Sequence, residues 1–249
     1  MKKIIFAAIM LCLCINPCRA AGLSADEIVR QRDHLMRGTS SFGRYEMVVK
    51  SPRWERTVKF DAWSQGEDKS FIVITYPKKD KGTTFLRIKT DMWQYIPRIE
   101  KTIKIPPSMM LQSWMGSDFT NDDLVKESSI INDYTHKLLP QEDRVYVIES
   151  IPNPDAAVVW GKIIQRIDKE TFVPVQDDFY DEDGMLVRRL LYTDTQELPD
   201  RMYPMRWSIE PLTEERKGHT TTIIIDAIEL NIPIENDVFS MRALKKYSR

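Results

Sequence analysis

The side chains with the widest chemical range in this sequence are three histidines, His34, His136 and His219. None stands in an H-E-x-x-H or H-x-E arrangement, and no C-x-x-C occurs, so no zinc-ligand spacing is present. Gly116-Ser117-Asp118 has the residues of a nucleophile turn but not the G-x-S-x-G elbow in a strand–turn–helix setting. The acidic run from Asp177 to Gly184 invites a calcium loop. Aligned on Gly184, such a loop needs an acid where Phe179 stands and a Glu where Leu190 stands, so the run is expected to be a solvated hairpin tip. Asp122 and Asp123 fit the first turn of a helix better than a catalytic pair. With 9 glycines and no G-x-G-x-x-G or G-x-x-x-x-G-K-[ST] run, a phosphate cradle is not expected either. The expectation is a protein without a catalytic site, metal or cofactor.

The remaining chemistry is apolar. Six Trp and nine Tyr are spread along the chain, and Met109, Met110 and Met115 crowd around Leu111 and Trp114. Methionine is unbranched and polarizable, so such a cluster suits a surface that must adapt to a guest. The bland alternative is a plug that fills a gap. The balance of the chain supports a large core: 42% hydrophobic and 29% charged, over 249 residues. With 36 basic and 37 acidic residues the formal net charge is −1, which gives no global attraction to nucleic acid.

The elements that must position these side chains begin with an address. Lys2 and Lys3 precede an uncharged run from Ile4 to Ile15, too short to span a bilayer, and Cys18-Arg19-Ala20 offers a cleavage site. Residues 1–20 are expected to be a secretory signal peptide and residues 21–249 a single exported domain. Cys12, Cys14 and Cys18 all fall in the signal; none follows a small residue, which argues against lipidation. Removing the signal leaves no thiol and a mildly acidic chain.

Ser24 and Glu27 form a capping box for an opening helix that carries Ile28, Val29, Leu35 and Met36 and stops at Gly38. Period two then dominates, from Tyr45-Met47-Val49 to the segment Thr220 to Leu230, with Asp183-Gly184 as a hairpin turn. Eleven to thirteen short strands in succession predict an antiparallel sheet that curls or closes. Residues 106–127 break the pattern. Pro106 and Pro107 end a strand, and Thr120 or Asn121 can cap a short helix through Leu124.

The order of these features resembles the LolA/LolB family of periplasmic lipoprotein carriers. Asp91-Met-Trp93-Gln-Tyr95-Ile-Pro97 is similar to that family's Asp…Trp-x-Tyr-x-Pro segment, and Asp237-Val-Phe239 is similar to its closing D-x-F pattern. Gly116-Ser-Asp-Phe-Thr-Asn-Asp-Asp-Leu124 resembles the signature of its longer, outer-membrane lipoprotein-sorting branch. The resemblance implies a mainly β (α+β) fold: a half-open antiparallel β-barrel of about eleven strands with an N-terminal helix and a helical lid. It implies a monomeric periplasmic carrier of lipid or lipoprotein acyl chains. Its partners would be an inner-membrane transporter, ABC-type or related, and an outer-membrane acceptor. On this basis Tyr45, Met47, Phe60, Val73, Leu86, Trp93, Tyr95, Trp160, Met205 and Trp207 are expected to line the cavity. The lid is expected to supply Met109, Met110, Leu111, Trp114 and Met115. In that family an arginine ties the lid shut; Arg44 and Arg53 lie in the matching region. The alternative function is an adaptor of an inner-membrane transporter with a filled barrel. A hydrolase acting on envelope lipids would need a nucleophile and base at the cavity mouth.

Overall fold

The computed structural model describes residues 22–121, 123, 130–140, 142–156 and 158–248. The expected signal peptide and most of the expected lid helix lie outside these residues. Among the described residues thirteen antiparallel strands form one continuous sheet, within the eleven to thirteen read from the alternation and slightly more than the about eleven that the resemblance implies. They are β1 (Ser40–Lys50), β2 (Glu55–Gln65), β3 (Lys69–Tyr76), β4 (Thr84–Ile88), β5 (Asp91–Ile96), β6 (Lys101–Lys104) and β7 (Tyr134–Leu138). After these come β8 (Val145–Pro152), β9 (Lys162–Asp168), β10 (Pro174–Tyr180), β11 (Leu186–Glu197), β12 (Met202–Pro211) and β13 (Thr220–Leu230). Among the described residues three α-helices accompany the sheet: α1 (Ala25–Arg37), α2 (Ile130–Asp133) and α3 (Met241–Lys246).

The spatial order runs from β6 through β5, β4, β3, β2 and β1 to β13, then down through β12 to β7. Neighbours in the sheet are therefore neighbours in sequence, except where β1 meets β13, while the consecutive strands β6 and β7 lie at opposite ends. The sheet curls without closing, because β6 and β7 are both edges. The chain between those two edges, residues 105–133, contains the 106–127 segment that broke the alternation. The lid is thus the connection that links the two free edges. Lys101 and Lys104 sit on the exposed edge β6, where charge discourages pairing with another sheet.

Local chemistry explains the frame. The Ser24 side chain accepts from the Glu27 backbone while Glu27 reaches back to Ser24, as the capping box predicts. Gly38 ends α1 at φ 60° with its N–H on the His34 carbonyl, a conformation that favours glycine. Ala25, Ile28 and Val29 of α1 bury against Ile148 of β8 and Ile167 of β9. In β3 the run Phe71-Ile72-Val73-Ile74 is buried on both faces. Ile72 and Ile74 join the inner cluster with Met47 and Phe60, whereas Phe71 and Val73 pack outward against α3 and the 3-10 turn Asn236–Phe239. One edge of the curled sheet therefore has a second, smaller core on its convex side.

Candidate functional site: a lidded cavity

A cavity of about 310 Å³ opens on the concave side of the sheet. Its walls come from both halves of the chain. Tyr45 and Phe60 stack at 5.1 Å across the β1–β2 pair. Gly43 makes this possible, because a Cβ there would lie 2.5 Å from the Tyr45 hydroxyl. Trp160 and Phe179 meet at 5.2 Å, and Tyr192 and Trp207 at 6.1 Å. Trp207 is held by a hydrogen bond of 2.9 Å from its indole N–H to the Pro204 carbonyl. From the lid, Trp114 inserts edge-on to Phe60 at 5.4 Å and Phe85 at 5.6 Å, and is 2% exposed.

Five of the expected residues therefore line the cavity: Tyr45, Phe60, Trp114, Trp160 and Trp207. Met47 is fully buried, and Met205 packs on the same inner cluster, but neither reaches the cavity wall. Val73, Leu86, Trp93 and Tyr95 belong to the convex cluster with Val238, Phe239 and Leu244, which corrects the expectation for all four. Their alternation is genuine, but it serves the outer core. Of the lid residues, Met110 and Met115 pack against the inner cluster. Met109 and Leu111 are exposed, Leu111 to 61%, so the lid presents apolar side chains on both sides.

Asn121 and Asp123, the described residues of the short helix expected after Thr120, are helical, and the lid leads into them. Its described part is built of two 3-10 turns, Pro107–Met109 and Trp114–Gly116, with a bridge between Ser113 and Thr120. Thr120 does act as a cap: its hydroxyl accepts from the Asp123 N–H at 3.1 Å, and the Asp123 carboxylate accepts the Thr120 N–H at 2.8 Å.

Three tethers fix this segment to the sheet. Arg56 of β2 donates to the Met115 carbonyl. The Asp118 carboxylate accepts from Thr221 of β13 at 2.7 Å and pairs with Arg216. Arg188 of β11 makes a bidentate pair with Asp123 at 2.8 and 2.7 Å. Its guanidinium lies over both the Trp160 and Phe179 rings, 4.3 Å from each. Among the described residues neither Arg44 nor Arg53 tethers the lid: both are exposed, and Arg44 lies over the Phe42 ring. Burial alone would raise the Asp123 pKa. The Arg188 charge and the hydrogen bonds from Arg188 and Thr120 outweigh it and hold the carboxyl below its ordinary range.

A second polar cluster was missed from the sequence. Arg32 of α1 pairs with Asp177 of β10 and donates to Gln165 at 2.6 Å and Tyr192 at 3.0 Å. Tyr192 in turn donates to Asp177 at 2.8 Å. Asp177 and Asp178 are 2% and 3% exposed, so the acidic run is not a wholly solvated tip. Asp178 instead binds Arg166 and Arg189, and the hairpin turn begins at Asp181. Burial pushes the Asp177 carboxyl up, against the opposing pull of Arg32. Burial also disfavours the Arg32 charge, but Asp177, Tyr192 and Asp33 outweigh it and keep the guanidinium protonated.

His136 and Ser150 meet at 2.8 Å, but Ser150 is fully buried, accepts from Gln165 and does not line the cavity. No group of His, Cys, Asp and Glu among the described residues could hold a metal ion. No helix among the described residues is long and apolar enough to cross a membrane.

A curled antiparallel sheet around an apolar cavity, roofed by the connection between its edges, defines the LolA-like class of folds. A DUF1329 family protein from Desulfovibrio piger superposes with a TM-score of 0.80 at 22% identity, over 88% of this chain and 97% of its own. An outer membrane lipoprotein-sorting protein domain from Vibrio parahaemolyticus gives 0.77 at 24% identity, over 89% and 98%. A LolA superfamily protein from Nitrosomonas europaea gives 0.75 at 20% identity, over 89% and 99%. Residues 66–246 match the model of a family described only as an uncharacterized protein, and the chain belongs to that family. No curated protein matches the sequence.

Proposed function

We propose that the protein is a non-enzymatic periplasmic carrier that shelters the acyl chain of a lipid or lipoprotein in the lidded cavity. The observation that carries this reading is the cavity itself, walled by aromatic rings and roofed by Trp114. Its volume falls at the small end of the range for ligand sites, about 300–1,000 Å³. An acyl chain exposes about 0.8 kcal/mol of unfavourable surface per CH₂, roughly 12 kcal/mol for about sixteen carbons. A soluble carrier must cover that surface and still give it up. Non-directional contacts serve the first need, and a roof held by a few polar tethers serves the second. The kinship of fold with a lipoprotein-sorting domain supports the same reading. Delivery would then run from an inner-membrane transporter to an outer-membrane acceptor. The open interior weighs against an adaptor with a filled barrel.

The test is native mass spectrometry of protein released gently from its own periplasm. Co-purifying lipid, with saturable uptake of a fluorescent fatty acyl probe, is the expected result; neither being seen refutes the proposal. Trp114→Ala should weaken probe binding about tenfold or more, given the transfer energy of a large aromatic side chain. Far-UV circular dichroism should stay unchanged.

A further inference from the structure

The cavity is not apolar throughout. Arg32, Asp177, Tyr192 and Arg188 share its wall with Leu190 and Phe179. Asp177 and Leu190 are partners across β10 and β11, as are Phe179 and Arg188, so the polar groups form one patch. Beside the patch, charge is already matched. Arg32 faces Asp177, Arg37 faces Asp33 and Arg188 faces Asp123. Arg87 is spent on the Glu67 and Lys89 carbonyls. An anionic head at the patch would have to break one of the Arg–Asp pairs. Yet three buried polar atoms of the patch have no hydrogen-bond partner among the described residues: the acceptor Asp177 Oδ1, and the donors Arg32 Nε and Arg188 Nε. A buried polar atom left unpaired is costly, and a guest that pairs it recovers that cost.

We infer that the Arg32–Asp177–Arg188 patch is a headgroup site for an uncharged polar group that both donates and accepts hydrogen bonds, carried on a single acyl chain. A hydroxyl and a secondary amide share this chemistry; a free carboxylate and a phosphate do not. The inference rests on the carrier reading and deepens it: the aromatic end takes the chain, and the patch selects the head. An isolated charged patch in an apolar cavity otherwise has no use for the orphaned carboxylate oxygen.

The test is displacement of bound diphenylhexatriene by four ligands of equal chain length: monopalmitoylglycerol, N-methylpalmitamide, methyl palmitate and palmitate. The first two should displace at about tenfold lower concentration than the last two, the worth of one hydrogen bond to a charged acceptor. A gap confined to one of the first two identifies hydroxyl or amide as the recognised source. In Asp177→Asn, Arg32 holds the amide oxygen and turns an N–H to where Oδ1 stood. That variant should lose the advantage, with the displacement by all four ligands read against its own diphenylhexatriene affinity. Equal displacement by all four, a preference for palmitate, or an undiminished advantage in the variant overturns the headgroup site. Should the variant fail to fold, the ranking by the wild-type protein decides. If diphenylhexatriene itself does not bind, the carrier reading falls first and the headgroup site with it.

Discussion

Cutting the Arg188–Asp123 tether should loosen the lid without unfolding the sheet. Asp123→Ala removes both acceptors of a bidentate pair whose side chains are 10% and 14% exposed. Breaking one partner of a buried pair costs about 3–5 kcal/mol, because a charge stays behind unpaired. Arg188 keeps its place over the Trp160 and Phe179 rings, which offsets part of that cost. The low end, about 3 kcal/mol, is therefore expected, or roughly 150-fold in the lid-opening equilibrium. Hydrogen exchange reads this directly. The Trp114 amide is bonded to the Phe119 carbonyl at 2.7 Å and the Asn121 amide to the Gln112 carbonyl at 3.0 Å. Both amides should lose about two orders of magnitude of protection, while amides of the β1–β13 pair keep theirs. Unchanged lid exchange would refute the tether, and an equal loss across the sheet would refute a separable lid. The tether also has a pH window. Because the folded-state Asp123 pKa is lowered, its stabilisation is full above the ordinary carboxylate value, about 3.9, and is lost as pH falls through the folded value. The lid should hold at neutral and mildly acidic pH and release in strong acid.

The remaining predictions concern the convex core and a half-buried histidine. Leu86→Ala, in the convex cluster, should destabilise by about 2–5 kcal/mol in urea unfolding and leave probe affinity unchanged; weaker probe binding would return Leu86 to the cavity. Burial lowers the His136 pKa, so its neutral form is the one the fold favours. Its stabilisation is full above the unfolded value of about 6.5 and is lost as pH falls through the lower folded value. Thermal melts should therefore drop as pH falls below about 6.5, and His136→Gln should flatten that slope. An identical slope in the variant would assign it to other groups.

Much of the frame is legible in the sequence, and the reason is local. Each of the thirteen observed strands coincides with a segment of alternating or β-rich residues, and the Ser24 cap, Gly38 stop and Gly184 turn are short-range signals. Which face of a strand lines the cavity is a different matter. Period two says that a face is buried but not on which side of a curled sheet. Val73, Leu86, Trp93 and Tyr95 alternate as regularly as Tyr45 and Phe60, yet α3 covers them from outside. A hint exists in Phe71-Ile72-Val73-Ile74, since an unbroken apolar run marks a strand buried on both faces. The polar patch left no such hint. Asp177 looks like part of a solvated acidic run because its partner Arg32 lies 145 residues away. The lid tethers were hidden for the same reason, with Arg56 and Arg188 meeting the lid 59 and 65 residues from their own positions.

The central claim is that an acyl chain occupies the space between Trp114, Trp160 and Trp207. Quenching of tryptophan fluorescence by bromine-labelled palmitoylglycerol measures that occupancy. The account predicts saturable quenching at one equivalent, reduced in each of Trp114→Phe, Trp160→Phe and Trp207→Phe and undiminished in Trp54→Phe, whose ring is exposed. Quenching that fails to saturate, or that is lost equally in Trp54→Phe, would contradict it.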